Sequence, residues 1–183
     1  MTTGLTVLDD KVYTIEDYMK LNDGNRYELI GGRLIMTPSA KPIHQKVTGR
    51  LYSRIETFLE QNPIGEVLDD VDVHLEGKVV RPDILFFSEG RFDILSDTYP
   101  NTAPDLVVEV LSPSTENHDI VTKTQLYYDN GVREYWIVSP IEKWVQVLVV
   151  GDRGWILKAL NQEDILSTPL LPGLEIKLKA IFV

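Results

Sequence analysis

The polar and apolar positions of this chain change period several times, and each change marks an element. In residues 42–61 the apolar side chains Val47, Leu51, Ile55, Phe58 and Leu59 return every three or four positions. That is one face of an amphipathic helix, ended by Pro63 and Gly65. Upstream, TIEDYMKL (14–21) reads as a short helix with Thr14 as N-cap, and RYELIGGRLIM (26–36) as a hairpin. Gly31-Gly32 supplies the positive φ values that a two-residue primed turn demands. EVLDDVDVHLE (66–76) alternates apolar with acidic, as a half-solvated strand does. VVRPDILFF (79–87) and PDLVVEVLS (104–112) are nearly continuous apolar runs, the pattern of strands buried on both faces. Residues 115–130 read as a second long helix stopped by Asn130-Gly131. Strands follow at 132–139, 144–150 and 155–160, and residues 174–183 add an edge strand. The predicted class is α/β: a mixed central β-sheet flanked by helices, with an N-terminal helix and β-hairpin.

The chain has 183 residues, which fits one domain with a core over about 12–160 and C-terminal strands in 161–183. Cysteine is absent, so disulfides, thiolate metal sites and cysteine nucleophiles are excluded together. No apolar run is long enough to span a membrane and no secretory signal is visible, so a cytoplasmic location is the expectation. The formal net charge is −10, which argues against binding nucleic acid by bulk electrostatics. The excess is localised. Residues 1–60 carry eight basic and eight acidic residues, 121–183 seven of each, and 61–120 three basic against thirteen acidic. Most of those acids fit a solvated face.

Three ionisable residues break patterns that call for apolar ones. Asp83 interrupts Pro82-Ile84-Leu85-Phe86-Phe87, and Glu109 interrupts Val107-Val108-Val110-Leu111. A buried, unpaired carboxylate costs several kcal/mol, so each needs a cation, a partner or a raised pKa. On neighbouring strands, ~4.8 Å apart, both can reach one metal ion. Lys123 shares an apolar helix stripe with Ile120, Leu126 and Tyr127, which aims its amine at the sheet. There it can neutralise the carboxylates or position a water. The competing reading has Lys123 snorkelling to solvent and Asp83 capping a turn after Pro82. Glu28, within Tyr27-Glu28-Leu29-Ile30, is out of pattern in the same way. His44 falls on the apolar side of the first long helix, where a lone histidine is more often a hydrogen-bonded core residue than a ligand. His74 and His118 form no zinc-type constellation with it and read as solvated. Lys46, Arg50 and Arg54, with Lys41, form a basic stripe that serves either as a substrate contact or as an ordinary solvated face.

These residues bring a family into view. Tyr27-Glu28-Leu29-Ile30-Gly31-Gly32-Arg33-Leu34, His44, Arg81-Pro82-Asp83-Ile84, residues 104–114 (PDLVVEVLSPS), Lys123 and residues 131–138 (GVREYWIV) resemble the Uma2 (DUF820) family. Its members are described as endonucleases abundant in cyanobacteria, with the PD-(D/E)xK restriction-endonuclease-like fold. The resemblance covers roughly residues 12–160 and is most specific over 104–138. It implies a Mg²⁺- or Mn²⁺-dependent enzyme that hydrolyses DNA phosphodiester bonds and acts as a homodimer. Asp83 and Glu109 would be the metal carboxylates, Lys123 the catalytic lysine and Glu28 an additional acid; His44 matches a family histidine of less defined task. One departure stands out: the superfamily lysine follows the glutamate by two positions, and residue 111 here is Leu. Lys123 would replace it from the following helix. Two rival functions remain open to the sequence. One is a catalytically silent interaction or regulatory module on a nuclease fold. The other is a glycoside hydrolase using Asp83 and Glu109, which leaves Lys123 without a task.

Overall fold

The computed structural model describes residues 6–37, 39–93, 98–112 and 119–183. Its elements follow from the patterns above, with differences that matter for the site. Strand β1 (Thr6–Val7) precedes helix α1 (Ile15–Tyr18), which Thr14 and Asp17 close with a reciprocal capping box. Strands β2 (Tyr27–Ile30) and β3 (Arg33–Met36) form the expected hairpin. Gly31 and Gly32 stand at φ 58° and 74°, the left-handed region a primed turn needs. Helix α2 (Pro42–Gln61) spans the predicted residues, with Pro42 in its first turn, where a missing N–H costs nothing.

The acidic segment 66–76 does not form one strand. It divides into β4 (Gly65–Asp69) and β5 (Val73–Leu75), which belong to different sheets. The run 79–87 divides likewise, into β6 (Lys78–Val80) and β7 (Ile84–Ser88). Both breaks have local causes. Asp70 adopts φ 53°, which ends an extended run, and Pro82 has no N–H to give a ladder. The breaks lie side by side, with Asp70 N–H directed at the Asp83 carbonyl across 3.4 Å. The chain therefore changes sheets twice at one seam. Asp83 is not inside a strand as expected; it stands at the head of β7 with its side chain 22% exposed.

Strands β8 (Leu106–Val110), β9 (Glu134–Ser139), β10 (Trp144–Gly151) and β11 (Gly154–Asn161) complete a six-stranded sheet of order β11-β10-β9-β8-β7-β4. Only β8 and β9 run parallel, so the sheet is mixed. A parallel pair requires a crossover, and the segment between β8 and β9 provides it. Its described part is shorter than the long helix expected over 115–130. A π-helical turn (Asp119–Lys123) runs into helix α3 (Thr124–Asp129), while residues 113–118, including His118, lie outside the described residues. Gly131, at φ 84°, closes α3, and Val132 N–H reaches back to the Tyr127 carbonyl. The second sheet has order β1-β3-β2-β6-β5.

Period-2 alternation distributes the core. On β8, Leu106, Val108 and Val110 face α2, whose Val47, Leu51, Ile55 and Leu59 pack against them. Val107 and Leu111 face the other way, into a layer shared with Leu126 and Tyr127 of α3 and Val73 and Val80 of the small sheet. The C-terminal segment does not extend the large sheet as an edge strand. Strand β13 (Ile176–Lys177) pairs with β12 (Ile165–Leu166), and Leu178, Ile181 and Phe182 then join the α2 side of the core. Among the described residues no helix is long and apolar enough to cross a membrane.

Candidate active site

Alternation also selects which acids turn inward. On β2, Tyr27 and Leu29 enter a small cluster with Leu34 and Val79. Glu28 and Ile30 therefore point the opposite way, towards the large sheet, and Glu28 is 3% exposed. On β8, Glu109 shares a face with Val107 and Leu111 and is 4% exposed. Lys123, the last residue of the π-helical turn, meets both acids. Its Nζ lies 2.9 Å from Glu109 Oε1 and 2.9 Å from Glu28 Oε1, and the residue is 4% exposed. It does not snorkel. Three charges from two sheets and a helix thus offset one another where water cannot.

Each carboxylate has further donors. Tyr127, one helical turn after Lys123, donates its hydroxyl to Glu109 Oε1 at 2.7 Å. Complete burial and the adjacent Glu109 push the Tyr127 phenol well above its ordinary pKa, so it remains a donor. Arg81 N–H donates to Glu28 Oε1 at 2.9 Å. Asp83 Oδ2 accepts from Val110 N–H at 2.7 Å and pairs with His44 Nε2 at 3.1 Å. His44 is thus the hydrogen-bonded residue anticipated for that helix face, and its bond reaches a site carboxylate.

A cavity of about 430 Å³ opens over this group, lined among others by Glu28, His44, Arg81, Asp83, Glu109 and Lys123. All five residues singled out from the sequence for the reaction, Asp83, Glu109, Lys123, Glu28 and His44, border one space. The basic stripe does not. Lys46 and Arg54 are exposed, and none of Lys46, Arg50 and Arg54 lines the cavity. Arg50 instead donates Nη1 to the carbonyls of Ile181 and Phe182, at 3.0 and 2.8 Å, tying the C-terminal segment to α2. His74 is not solvated: it is half-buried, stacked on Tyr99 at 4.8 Å between ring centroids, and burial lowers its pKa.

With this geometry in place, comparison with known proteins is decisive. Residues 15–179 match the Uma2 family, described as "Putative restriction endonuclease". The chain belongs to the Uma2 family. The fold is similar to the crystal structure titled a "putative nuclease belonging to DUF820" from Anabaena variabilis ATCC 29413. The TM-score is 0.79 over 92% of this Uma2 chain and 97% of the other, at 19% identity, which establishes a shared fold. No curated protein matches the sequence.

The donor set of this Uma2 chain suits a hard divalent cation. Asp83 and Glu109 offer carboxylate oxygens, and Asp83 Oδ1 accepts no hydrogen bond among the described residues. Among those residues no group of three His, Asp or Glu side chains encloses an ion. Mg²⁺ commonly takes one or two carboxylates and completes its shell with waters and substrate phosphate oxygens, so two acids beside a cavity are a sufficient protein share. Sequence reasoning missed Tyr127, Arg81 and Asp72. The i, i+4 spacing from Lys123 to Tyr127 was a usable signal; the pairing of Arg81 with Asp72 depends on the sheet break and had none.

Proposed function

We propose that this Uma2 chain is a Mg²⁺- or Mn²⁺-dependent endonuclease that hydrolyses DNA phosphodiester bonds. The observation that carries the reading is the Lys123 ammonium, buried at 2.9 Å from two glutamates on a cavity it shares with Asp83. Surface lysines do not adopt such a position, since the burial must be offset by function or by pairing.

Hydrolysis forms a bond from a water oxygen to phosphorus and breaks a P–O ester bond, while negative charge grows on the phosphoryl oxygens. Asp83 and Glu109 would hold a divalent cation, which would supply Lewis-acid polarisation of a phosphoryl oxygen. Lys123, fixed by Glu28 and Glu109, presents positive charge at a set place and needs no rearrangement as the charge develops. Glu28 holds Lys123 and accepts the Arg81 N–H, which links the small sheet to the catalytic group. His44 and the Val110 N–H fix Asp83 Oδ2 and so direct Oδ1. Tyr127 keeps Glu109 Oε1 in place. One such centre cuts one strand, so the homodimer expected of the family belongs to this reading.

The test is nicking of supercoiled plasmid DNA. Purified protein with Mg²⁺ or Mn²⁺ is expected to convert supercoiled to relaxed and linear DNA, EDTA to stop it, and Asp83→Ala or Lys123→Ala to lose it. Cleavage that persists in EDTA, or an Asp83→Ala variant as active as the wild type, would sink the assignment. Calorimetric metal binding with no cleavage would replace it by the silent module.

A further inference from the structure

A cavity that receives a polyanion needs a cation with donors to spend, and this one is lined by five carboxylates. Glu28, Asp69, Asp70, Asp83 and Glu109 border it, against Arg26, Arg81 and Lys123. Lys123 is shared between Glu28 and Glu109. Arg26 is held at 2.8 and 2.7 Å by both oxygens of Asp70, which itself lines the cavity, so that pair brings the space no net charge. Arg81 differs. Its Nε donates to Asp72 Oδ1 at 2.6 Å, and Asp72 is 5% exposed and lies outside the cavity lining. Tyr18 donates its hydroxyl to the other oxygen, Asp72 Oδ2, at 2.9 Å. Neither Nη nitrogen of Arg81 makes a hydrogen bond among the described residues. A buried carboxylate thus grips the guanidinium by its inner edge and leaves the outer fork unspent. On the lining of the same cavity, the buried hydroxyl of Thr48 has no hydrogen-bond partner among the described residues either.

We propose that Arg81 is the phosphate-binding residue of this site: its Nη fork engages a non-bridging oxygen of the DNA backbone, with Asp72 and Tyr18 as positioning residues and the Thr48 hydroxyl as a second donor. The proposal rests on the endonuclease reading and names how that site holds its substrate. A planar guanidinium fixed at Nε presents two parallel N–H groups to a phosphate, which a lysine cannot do. Placing Arg81 two residues before Asp83, at the break between β6 and β7, sets the phosphate contact beside the proposed metal carboxylate. The backbone N–H of Arg81 bonds Glu28, so the residue is anchored at main chain and Nε alike.

The experiment is the binding of a fluorescein-labelled DNA duplex by anisotropy, over a salt series, once in EDTA and once in Mg²⁺. Arg81→Ala is expected to weaken binding roughly ten- to hundredfold, the loss of a charge-assisted contact. It should also make the slope of log K against log salt shallower by about 0.9, the signature of one phosphate contact fewer. Arg81→Gln, whose amide can still donate to Asp72, guards against misfolding; with a wild-type melting temperature it should show the same shallower slope. Asp72→Asn retains the guanidinium charge and should weaken binding with the full slope. An unchanged slope in both Arg81 variants, or wild-type affinity in Arg81→Ala, overturns the assignment while leaving the endonuclease reading intact. A wild-type protein that neither binds nor nicks the duplex overturns both.

Discussion

Lys123 shows how much one side chain can carry. Replacing it by Ala leaves the buried Glu28 and Glu109 without the cation between them, and removing one member of a buried charge network costs about 3–5 kcal/mol. Lys123→Ala is therefore expected to lose plasmid nicking and also to melt at markedly lower temperature, measured by differential scanning calorimetry. The double variant Glu28→Gln/Lys123→Met should recover much of the stability and none of the activity. Glu134 lies far from this logic, on the α2 face of the sheet, and is 1% exposed. Arg133 lends it some positive charge, while its oxygens accept from Trp136 Nε1 at 2.6 Å and Thr168 Oγ1 at 2.7 Å. Burial raises its pKa, and the Thr168 and Trp136 bonds only partly oppose that. The folded state thus holds a proton that the unfolded chain has released between the ordinary glutamate value and the raised one. Stability falls as pH rises through that window. Glu134→Gln, whose amide can accept from Trp136 and donate to Thr168, should melt higher than the wild type at neutral pH and lose that advantage near pH 4.5. A constant difference across the pH series would refute the account.

At the scale of elements, Asp105 does for the sheet what Lys123 does for the site. It precedes β8 and is fully buried. Oδ2 accepts from Ser88 N–H and Oγ, and Oδ1 from Arg91 and Arg133, so one carboxylate joins the ends of β7 and β9. Burial alone would raise its pKa; the Ser88 bonds and the two arginines outweigh burial and hold it below the usual aspartate value. A depressed pKa means stability that is present above the unfolded value and lost as pH falls through the folded one. Asp105→Asn should therefore flatten the acid limb of the unfolding profile and cost about 2–4 kcal/mol at neutral pH, read from urea titrations. Elements of this kind were unevenly legible. Helix α2 could be read to the residue and the β2–β3 hairpin to within one, because periodicity and turn chemistry are local. The division of 66–76 and 79–87 could not. Alternation says which face a residue occupies but not which sheet the strand has joined. Asp72 looked like one more solvated acid of an alternating strand until the break at Asp70 turned it towards Arg81. Asp83 and Glu109 were legible for the opposite reason: a charge in an apolar run needs an explanation wherever the strand goes.

For the whole molecule, the net charge of −10 and its concentration in residues 61–120 set the terms of association. The cavity does not reverse that sign, since five of its lining residues are acidic and three basic, leaving His44 aside. Duplex binding is expected to be weak in EDTA, to tighten on adding Mg²⁺, and to weaken with salt at the shallow slope of few phosphate contacts. Binding that is as strong without divalent cations as with them would mean that a different surface receives the DNA.

The double change of sheet at Asp70 and Pro82 has a consequence for how this protein fails. Glu28 and Arg81 belong to the small-sheet side of the seam, and Asp83 and Glu109 to the large sheet, with Lys123 bridging them. The small sheet has its own modest apolar cluster around Leu29, Leu34 and Val79, whereas the large sheet shares an extensive core with α2. Partial opening that releases the first leaves the second standing. Mild heat or urea should thus produce molecules that retain most of their circular dichroism and have already ceased to cut DNA. Inactivation would run ahead of unfolding.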